Sequence, residues 1–279
     1  MAHEGQWARV PESSDYHRLA MSDQLSLRLE ASLPNAPASL RPMLARPLAE
    51  AFDSPNHLFE PVWGGVRALA RIGPAEAEGA GDVVFIDEAG AEISPLPPDL
   101  AGLGVRVAAR SAVLDGEIVV VDEAGRLDRP ELERRMRGEL GRALAYLAFD
   151  LLDLDGRALL SMPLEKRREL LRRVLRPGDE VVAVPAIAEE GRALFEAVAA
   201  QGLAGIRGRQ RAGPYLPGVR SRLWRFIEVG ARPSKRGPKE AADALASDVG
   251  VAPASGGSGG RSAPVLALIR RLPLDLEEL

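Results

Sequence analysis

Residues 207–226 contain six arginines at short spacing, interleaved with three aromatic residues. Guanidinium groups bind phosphates and aromatic rings stack on bases, so this combination is typical of a nucleic-acid-binding face. The alternative is a solvated cationic surface, which the general preference of this chain for arginine over lysine favours. The candidate nucleic-acid-binding residues are Arg207, Arg209, Arg211, Arg220, Arg222 and Arg225, with Tyr215, Trp224 and Phe226 among them.

The charge of the chain is unevenly distributed. The 279 residues have a formal net charge of -4. Between Gln201 and Lys239, eight arginines and two lysines accompany a single acid, Glu228, which gives this segment a charge of +9 and leaves -13 for the rest. The asymmetry predicts an anion-binding face on an otherwise acidic protein.

Composition also excludes several classes of protein. The chain has no cysteine, which excludes a disulfide framework, a zinc-thiolate site and a cysteine nucleophile, and fits a reducing cytoplasm. Residues 1–23 lack the apolar stretch of a signal peptide, and no apolar run approaches the roughly 20 residues of a membrane span. We therefore predict a cytoplasmic protein without a membrane partner.

Hydrophobic patterning predicts an α+β fold with antiparallel sheets flanked by helices. Turn signals at 122–125 and 153–156 follow two strongly apolar runs. The predicted strands lie within 66–72, 82–94, 111–128, 144–159 and 221–230. The predicted helices lie within 162–175, with Pro163 near the first position, and 191–202, with Gly202 at the carboxyl-terminal cap.

The globular part of the chain is predicted to span residues 39–231. Residues 1–38 form a polar extension with a short helical pattern between Leu19 and Leu33. Residues 232–279 are a linker rich in Gly, Ser and Pro that ends in a short apolar segment, 264–279, which could dock on a protein partner.

Three stretches of this globular part resemble the adenylation domain of bacterial ATP-dependent DNA ligases, a branch of the covalent nucleotidyltransferases. They are "LDGEIVVVDEAGRLD" at 114–128, "YLAFDLLDLDGRALLSMPLEKRRELL" at 146–171 and "PYLPGVRSRLW" at 214–224. The resemblance runs from about residue 40 to 230. It implies a ligase-type nucleotidyltransferase fold, related to ATP-grasp folds, with ATP and Mg²⁺ as cofactors and DNA as a partner.

The first motif of that family, Phe-Glu-x-Lys-x-Asp-Gly-x-Arg, is only partly present in "FEPVWGGVR" at 59–67. The position of the lysine that attacks ATP in the family is Val62, and the position of the aspartate is Gly64. A lysine amine can serve as a nucleophile, whereas valine has no lone pair. The resemblance therefore implies no catalytic residue in this chain.

Other motif positions have also lost the phosphate-binding or metal-binding residue of the family. Asp87 and Glu88 stand at the Ser-Arg pair, and Ala204 stands at the metal-binding glutamate of Glu-Gly-x-x-x-Lys, with Arg209 at its lysine. The lysines of Trp-x-Lys-x-Lys are Phe226 and Glu228. Because Mg²⁺ sites use one or two carboxylates plus substrate phosphates, the loss at position 204 argues against a dedicated metal site.

The matching positions Glu60, Arg67, Glu117 and Phe149 are the candidate nucleotide-binding residues. The resemblance places Glu117 near the ribose and metal, and Phe149 against adenine. The alternative is that these residues only support the fold: Glu117 as a hydrogen-bonded carboxylate, Phe149 as a core aromatic and Arg67 as a surface cation.

Three functions remain open from the sequence. The first is a pseudoenzyme, namely a ligase-like domain that binds nucleotide or nucleic acid in DNA repair without adenylating itself. The second is an active ATP-dependent ligase or nucleotidyltransferase with an altered mechanism. The third is a scaffold that acts through its carboxyl-terminal segment. The family also uses an oligonucleotide-binding barrel, and the 50 or so residues after Gly230 are too few to form one.

Overall fold

A computed structural model describes residues 40–73 and 82–230 of the chain. Within these residues, eleven strands form two sheets, and the element order mixes strands and helices without a regular βαβ alternation. The strands are β1 (Leu44–Pro47), β2 (Ser54–Val62), β3 (Val66–Ile72), β4 (Val83–Ile86), β5 (Ala112–Val119), β6 (Ala145–Leu154), β7 (Arg157–Ala158), β8 (Val181–Ala183), β9 (Ile187–Glu189), β10 (Gly205–Gln210) and β11 (Arg220–Glu228).

Four α-helices and one 3₁₀ helix accompany these strands in the described residues. They are α1 (Pro98–Ala101), the 3₁₀ helix Gly102–Arg106, α2 (Arg129–Met136), α3 (Leu164–Val174) and α4 (Gly191–Ala200). Asp128 caps α2 by accepting a hydrogen bond from the backbone N–H of Glu131, which satisfies one donor of the first turn. None of these helices is long and apolar enough to cross a bilayer.

The two sheets have different strand orders. The first sheet runs β1-β11-β10-β2-β9, and the second runs β4-β3-β5-β6-β7 with β8 added beside β6. Most neighbours are antiparallel, as predicted, but β1 with β11 and β6 with β8 are parallel pairs. The α+β fold with mainly antiparallel sheets is therefore confirmed.

One apolar cluster holds residues from both sheets, and we call the region between the two sheets around Phe149 the cleft. Phe59 of β2, Leu69 of β3, Phe149 of β6 and Trp224 of β11 all belong to it and are almost fully buried. A second cluster covers the opposite face of the second sheet, where Leu171 and Val174 of α3 pack. Burial of apolar residues on both faces makes this sheet, and β6 in particular, the interior of the domain.

The sequence predictions match the structure where hydrophobic runs are long. Strand β3 has the predicted bounds, the turn after β5 is closed by a hydrogen bond from Gly125 N to Asp122 O, and α3 and α4 lie where predicted. The elements that the sequence did not predict are strands β1, β2, β8, β9 and β10, helices α1 and α2 and the 3₁₀ helix. The predicted amino-terminal extension and carboxyl-terminal linker lie outside the described residues.

Candidate nucleotide and nucleic-acid site

The family positions that have lost their functional groups lie side by side on β2, β10 and β11. In the antiparallel pairing, Val62 stands opposite Gly205, and Gly205 stands opposite Glu228. Residues directly opposite in antiparallel strands share a face. Position 62 and the second lysine position of the last motif are therefore in one cross-strand row, occupied here by an apolar and an acidic side chain.

Gly64 and Ala204 complete this altered region. A Cβ atom added at Gly64 would lie 3.0 Å from Ala204 Cβ, so the two lost acidic positions are immediate neighbours. Gly64 has φ +86°, a conformation that glycine adopts without the steric cost that other residues meet. The exposed Arg129 donates from Nη2 to Gly64 O at 2.8 Å and brings a cation to the edge of this region.

The next row, toward the centre of the cleft, contains Glu60, Arg207 and Phe226. Glu60 is 1% exposed, and one of its carboxylate oxygens accepts hydrogen bonds from both Arg168 and Arg209. The other oxygen, Oε2, has no hydrogen-bond partner. Glu60 is thus engaged by two arginines of the protein itself.

Arg67 is held by a carboxylate that the sequence analysis did not single out. Its Nε and Nη2 atoms both donate to Asp115 at 2.7 Å, and Tyr215 donates its hydroxyl hydrogen to Asp115 Oδ2 at 2.7 Å. Burial by itself would lower the pKa of Arg67, but the ion pair with Asp115 outweighs it and raises the pKa above the ordinary value. Arg67 is therefore a fixed, charged group, with its side chain only 12% exposed.

Glu117 lies beside Arg67 in the pairing of β3 with β5, and it is 6% exposed. Its Oε1 atom accepts a hydrogen bond from the backbone N–H of Gly65. This bond ties the carboxylate to the turn that follows Val62. Among the described residues, no cluster of three or more acidic or histidine side chains is arranged to hold a metal.

Phe149 is surrounded by guanidinium groups. The Cζ atoms of Arg207, Arg67 and Arg209 lie 4.3, 4.6 and 5.2 Å from the centroid of its ring, which is the geometry of cation–π contacts. Trp224 packs edge-on against Phe149 with a centroid separation of 6.4 Å. Since Phe149 is 2% exposed, a base could stack on this ring only after an arginine had moved.

Asp150 is a buried carboxylate that binds two arginines of the cleft. It was not predicted as a site residue from the sequence. It accepts two hydrogen bonds from Arg167 at 2.8 Å and one from Arg209 Nη1 at 2.9 Å, and all three residues are fully buried. Burial would raise the pKa of Asp150, but the two guanidinium groups outweigh it and lower the pKa. A charged residue inside an apolar strand, such as Asp150 in "LAFDLL", is the signal that could have indicated a buried ion pair.

The six arginines predicted as one nucleic-acid-binding face do not share a surface in the structure, and their binding of nucleic acid stays a prediction. Arg207 and Arg209 are 7% and 0% exposed and point into the cleft. Arg225 is paired with Gly208, on the opposite face of the sheet from Trp224, because neighbouring residues of a strand alternate. Arg220 and Arg222 are exposed, and Arg211 and Arg225 are partly exposed.

A two-sheet α+β fold whose motif residues converge on a cleft around Phe149 defines this chain as an adenylation domain of the nucleotidyltransferase type. The family model "ATP dependent DNA ligase domain" matches residues 42–226. The chain belongs to the ATP-dependent DNA ligase family, which confirms the resemblance.

Curated relatives cover the same region. "Multifunctional non-homologous end joining DNA repair protein LigD" of Mycobacterium tuberculosis is 31% identical over 187 residues, which are 67% of this chain and 23% of that protein. A "Probable DNA ligase" of Rhodococcus opacus is 31% identical over 211 residues, covering 73% of this chain and 40% of that protein. The chain thus spans between about a quarter and two fifths of the length of these relatives.

Solved structures agree with this assignment. The structure described as "mycobacterial DNA ligase D complexed with ATP and MES" has a TM-score of 0.59 and 28% identity, and it covers 68% of this chain and 60% of that one. The ligase domain from M. tuberculosis LigD has the same TM-score with 29% identity.

Proposed function

We propose that this chain is a ligase-like module that does not adenylate itself and that binds nucleotide or nucleic acid in DNA repair. The proposal rests on the cross-strand row of Val62, Gly205 and Glu228. No side chain of this row has an amine, and the row includes position 62, where the family has its nucleophilic lysine. Lys166 is the only lysine among the described residues. It is an exposed residue of α3 that pairs with Glu169 at 3.1 Å.

The surroundings of position 62 support the same proposal. Gly64 and Ala204 supply no carboxylate for Mg²⁺, and the acidic groups that remain from the family pattern are Glu117 and Glu60, the latter engaged by two arginines. Stabilisation of the charge that develops during phosphoryl transfer needs preorganised cations or metal ions. Arg67 and Arg209 are already paired with carboxylates of the protein, and Arg207, which lies nearest to the ring of Phe149, packs on that ring.

A role in DNA repair is proposed from two supports. The printed names of the mycobacterial relatives include DNA repair by non-homologous end joining. Arg220 and Arg222 present cations on the exterior of β11. Together they favour a binding module that contacts the phosphates of DNA through the exposed amino-terminal part of β11.

The test of the missing chemistry is intact-protein mass spectrometry after incubation with ATP and Mg²⁺. The native chain is compared with Val62→Lys, with Val62→Met as a matched control of similar length without an amine, and with an active DNA ligase as the assay control. We expect no AMP adduct on the native chain or on Val62→Met. The double variant Val62→Lys/Gly64→Asp is also measured, although φ +86° at Gly64 disfavours aspartate there.

An AMP adduct on the native chain would contradict the proposal, and peptide mapping would then identify the nucleophile that replaces the family lysine. An adduct on Val62→Lys alone would support it and would show that the cleft admits ATP. The absence of an adduct on every variant would agree with a cleft that is closed to ATP by the arginines over Phe149.

A further inference from the structure

The cleft contains more buried guanidinium groups than carboxylates. All of these residues lie within the described part of the chain and are at most partly exposed. The arginines are Arg67, Arg167, Arg168, Arg207 and Arg209, and the carboxylates are Glu60, Asp115, Glu117 and Asp150. With every group ionised, the cluster carries one positive charge that no carboxylate of the cleft balances.

Four of the five arginines have an ion pair within the cleft. Arg67 pairs with Asp115, Arg167 with Asp150 and Arg168 with Glu60, while Arg209 contacts both Glu60 and Asp150. Arg207 differs from all of them: within residues 40–73 and 82–230 it has neither an ion pair nor a hydrogen bond. Its described contacts are with the rings of Phe149 and Trp224, at 4.3 and 5.9 Å.

This arrangement leaves a largely buried cation whose donors have no hydrogen-bond partner among the described residues but still reach solvent. A guanidinium group has five N–H donors and no acceptor, and burying a charge without a hydrogen-bonded partner is costly. Desolvation and the neighbouring charge of Arg67 lower the pKa of Arg207 to about 10. Arg207 is therefore still charged at neutral pH, and its environment would become more favourable if an anion were bound beside it.

We propose that Arg207 is the main ligand of a binding site for one phosphate-sized oxyanion. Arg67 supplies the second cation, since its Cζ atom lies over the same ring and its Nη1 atom takes no part in the hydrogen bonds that hold Asp115 and Met43 O. Arg207 is 7% exposed, and its donors reach solvent. Arginine is suited to this role because its planar group matches oxyanion geometry.

The ligand of this site is the oxyanion and not a nucleoside. The ring of Phe149 is 2% exposed and covered by guanidinium groups, so a base could not enter without displacing Arg207. Arg207 also falls on a variable position of the Glu-Gly-x-x-x-Lys pattern, so the family resemblance assigns it no role. The inference is independent of self-adenylation, because position 62 takes no part in it.

The test is isothermal titration of the full chain with inorganic phosphate, at constant ionic strength against a chloride background. The variants are Arg207→Gln, Arg207→Lys and, as a control on the exposed surface, Arg137→Gln. We expect Arg207→Gln to weaken phosphate binding by about tenfold or more, Arg207→Lys to weaken it less, and Arg137→Gln to bind like the native chain. AMP is titrated in parallel and should bind no more tightly than phosphate.

Three results would overturn the proposal. The first is no phosphate-dependent heat with the native chain at millimolar phosphate. The second is equal phosphate affinity of the native chain and Arg207→Gln. The third is binding of AMP about tenfold tighter than phosphate, which would show that Arg207 moves aside for a base. If Arg207→Gln does not fold, the Arg207→Lys variant and the comparison of phosphate with AMP still decide the question.

Discussion

Asp150 shows how single residues hold the cleft together. Its carboxylate is fully buried and receives hydrogen bonds from Arg167, Arg209 and the backbone N–H of Leu151. A buried ion pair gains little over an apolar alternative, but the removal of one partner leaves an uncompensated charge. The stability of the cleft is therefore sensitive to loss of any one member of this network.

The variant Asp150→Asn should lower the free energy of unfolding by about 3–5 kcal/mol at pH 7, because two buried guanidinium groups lose their counter-charge. Chemical denaturation followed by tryptophan fluorescence measures this difference. The control Glu169→Gln removes an ion pair between exposed side chains and should change stability by less than about 1 kcal/mol. A similar small effect for both variants would show that Asp150 is not a structural anchor.

The free energies of unfolding of the native chain and of Asp150→Asn should depend differently on pH. Because the pKa of Asp150 is lowered in the folded state, its contribution to stability is present above the ordinary carboxyl range and is lost as pH falls through the lowered value. The stability difference between the native chain and Asp150→Asn should therefore be constant above about pH 5 and should shrink below about pH 4. A difference that grows on acidification would contradict this assignment of charge.

At the scale of elements, the pairing of β2, β10 and β11 explains why the motif losses form one region. Residues that are distant in sequence become cross-strand neighbours, as Val62, Gly205 and Glu228 do. Tyr215, just before β11, connects this sheet to the other one: its hydroxyl donates to Asp115 of β5 and accepts from the backbone N–H of Met43. One phenol group thus fixes three segments of the chain.

Removal of that hydroxyl by Tyr215→Phe should destabilise the fold by about 1–3 kcal/mol, because a buried donor at Met43 and an acceptor at Asp115 lose their partner. Amide hydrogen exchange should be faster at Met43 and in neighbouring β1 than in β6. The control Ser54→Ala, at the first residue of β2, should stay within about 0.5 kcal/mol of the native chain. Unchanged protection of Met43 in Tyr215→Phe would argue against the connecting role.

At the scale of the whole molecule, the positive charge of residues 201–230 is divided between buried and exposed side chains. Arg207 and Arg209 are internal, whereas Arg220 and Arg222 remain on the exterior of β11. Nucleic-acid binding, if it uses this sheet, therefore depends on fewer cations than the sequence suggests. Counterion release makes the number of phosphate contacts measurable from the salt dependence of the affinity.

The double variant Arg220→Gln/Arg222→Gln should bind nicked duplex DNA more weakly, and the slope of log affinity against log salt should fall by about two phosphate contacts. Fluorescence anisotropy over a salt series measures both quantities. The control Arg134→Gln/Arg137→Gln removes exposed arginines that pair with Glu139, and it should leave the slope unchanged. Equal slopes for the native chain and the β11 variant would place DNA binding elsewhere.

Local sequence patterns were sufficient to predict part of the fold and a smaller part of the candidate site. Strand β3, the turn at 122–125 and helices α3 and α4 were predictable because long apolar patterns and turn residues are local signals. Strand β10, with two glycines and two buried arginines in "GIRGRQ", carries no apolar pattern. Arg209 is compatible with full burial because Glu60 and Asp150, from other strands, pair with it.

By itself, the sequence determined the family, the α+β class and the absence of an amine at position 62, since these follow from residue identity and order. Tertiary structure alone decided which charges are internal. Arg207 and Arg222 are the same type of residue, yet Arg207 packs on the ring of Phe149 inside the cleft and Arg222 is exposed to solvent. The physical reason is that the energy of a charge depends on its partners and on its access to water, and long-range strand pairing sets both.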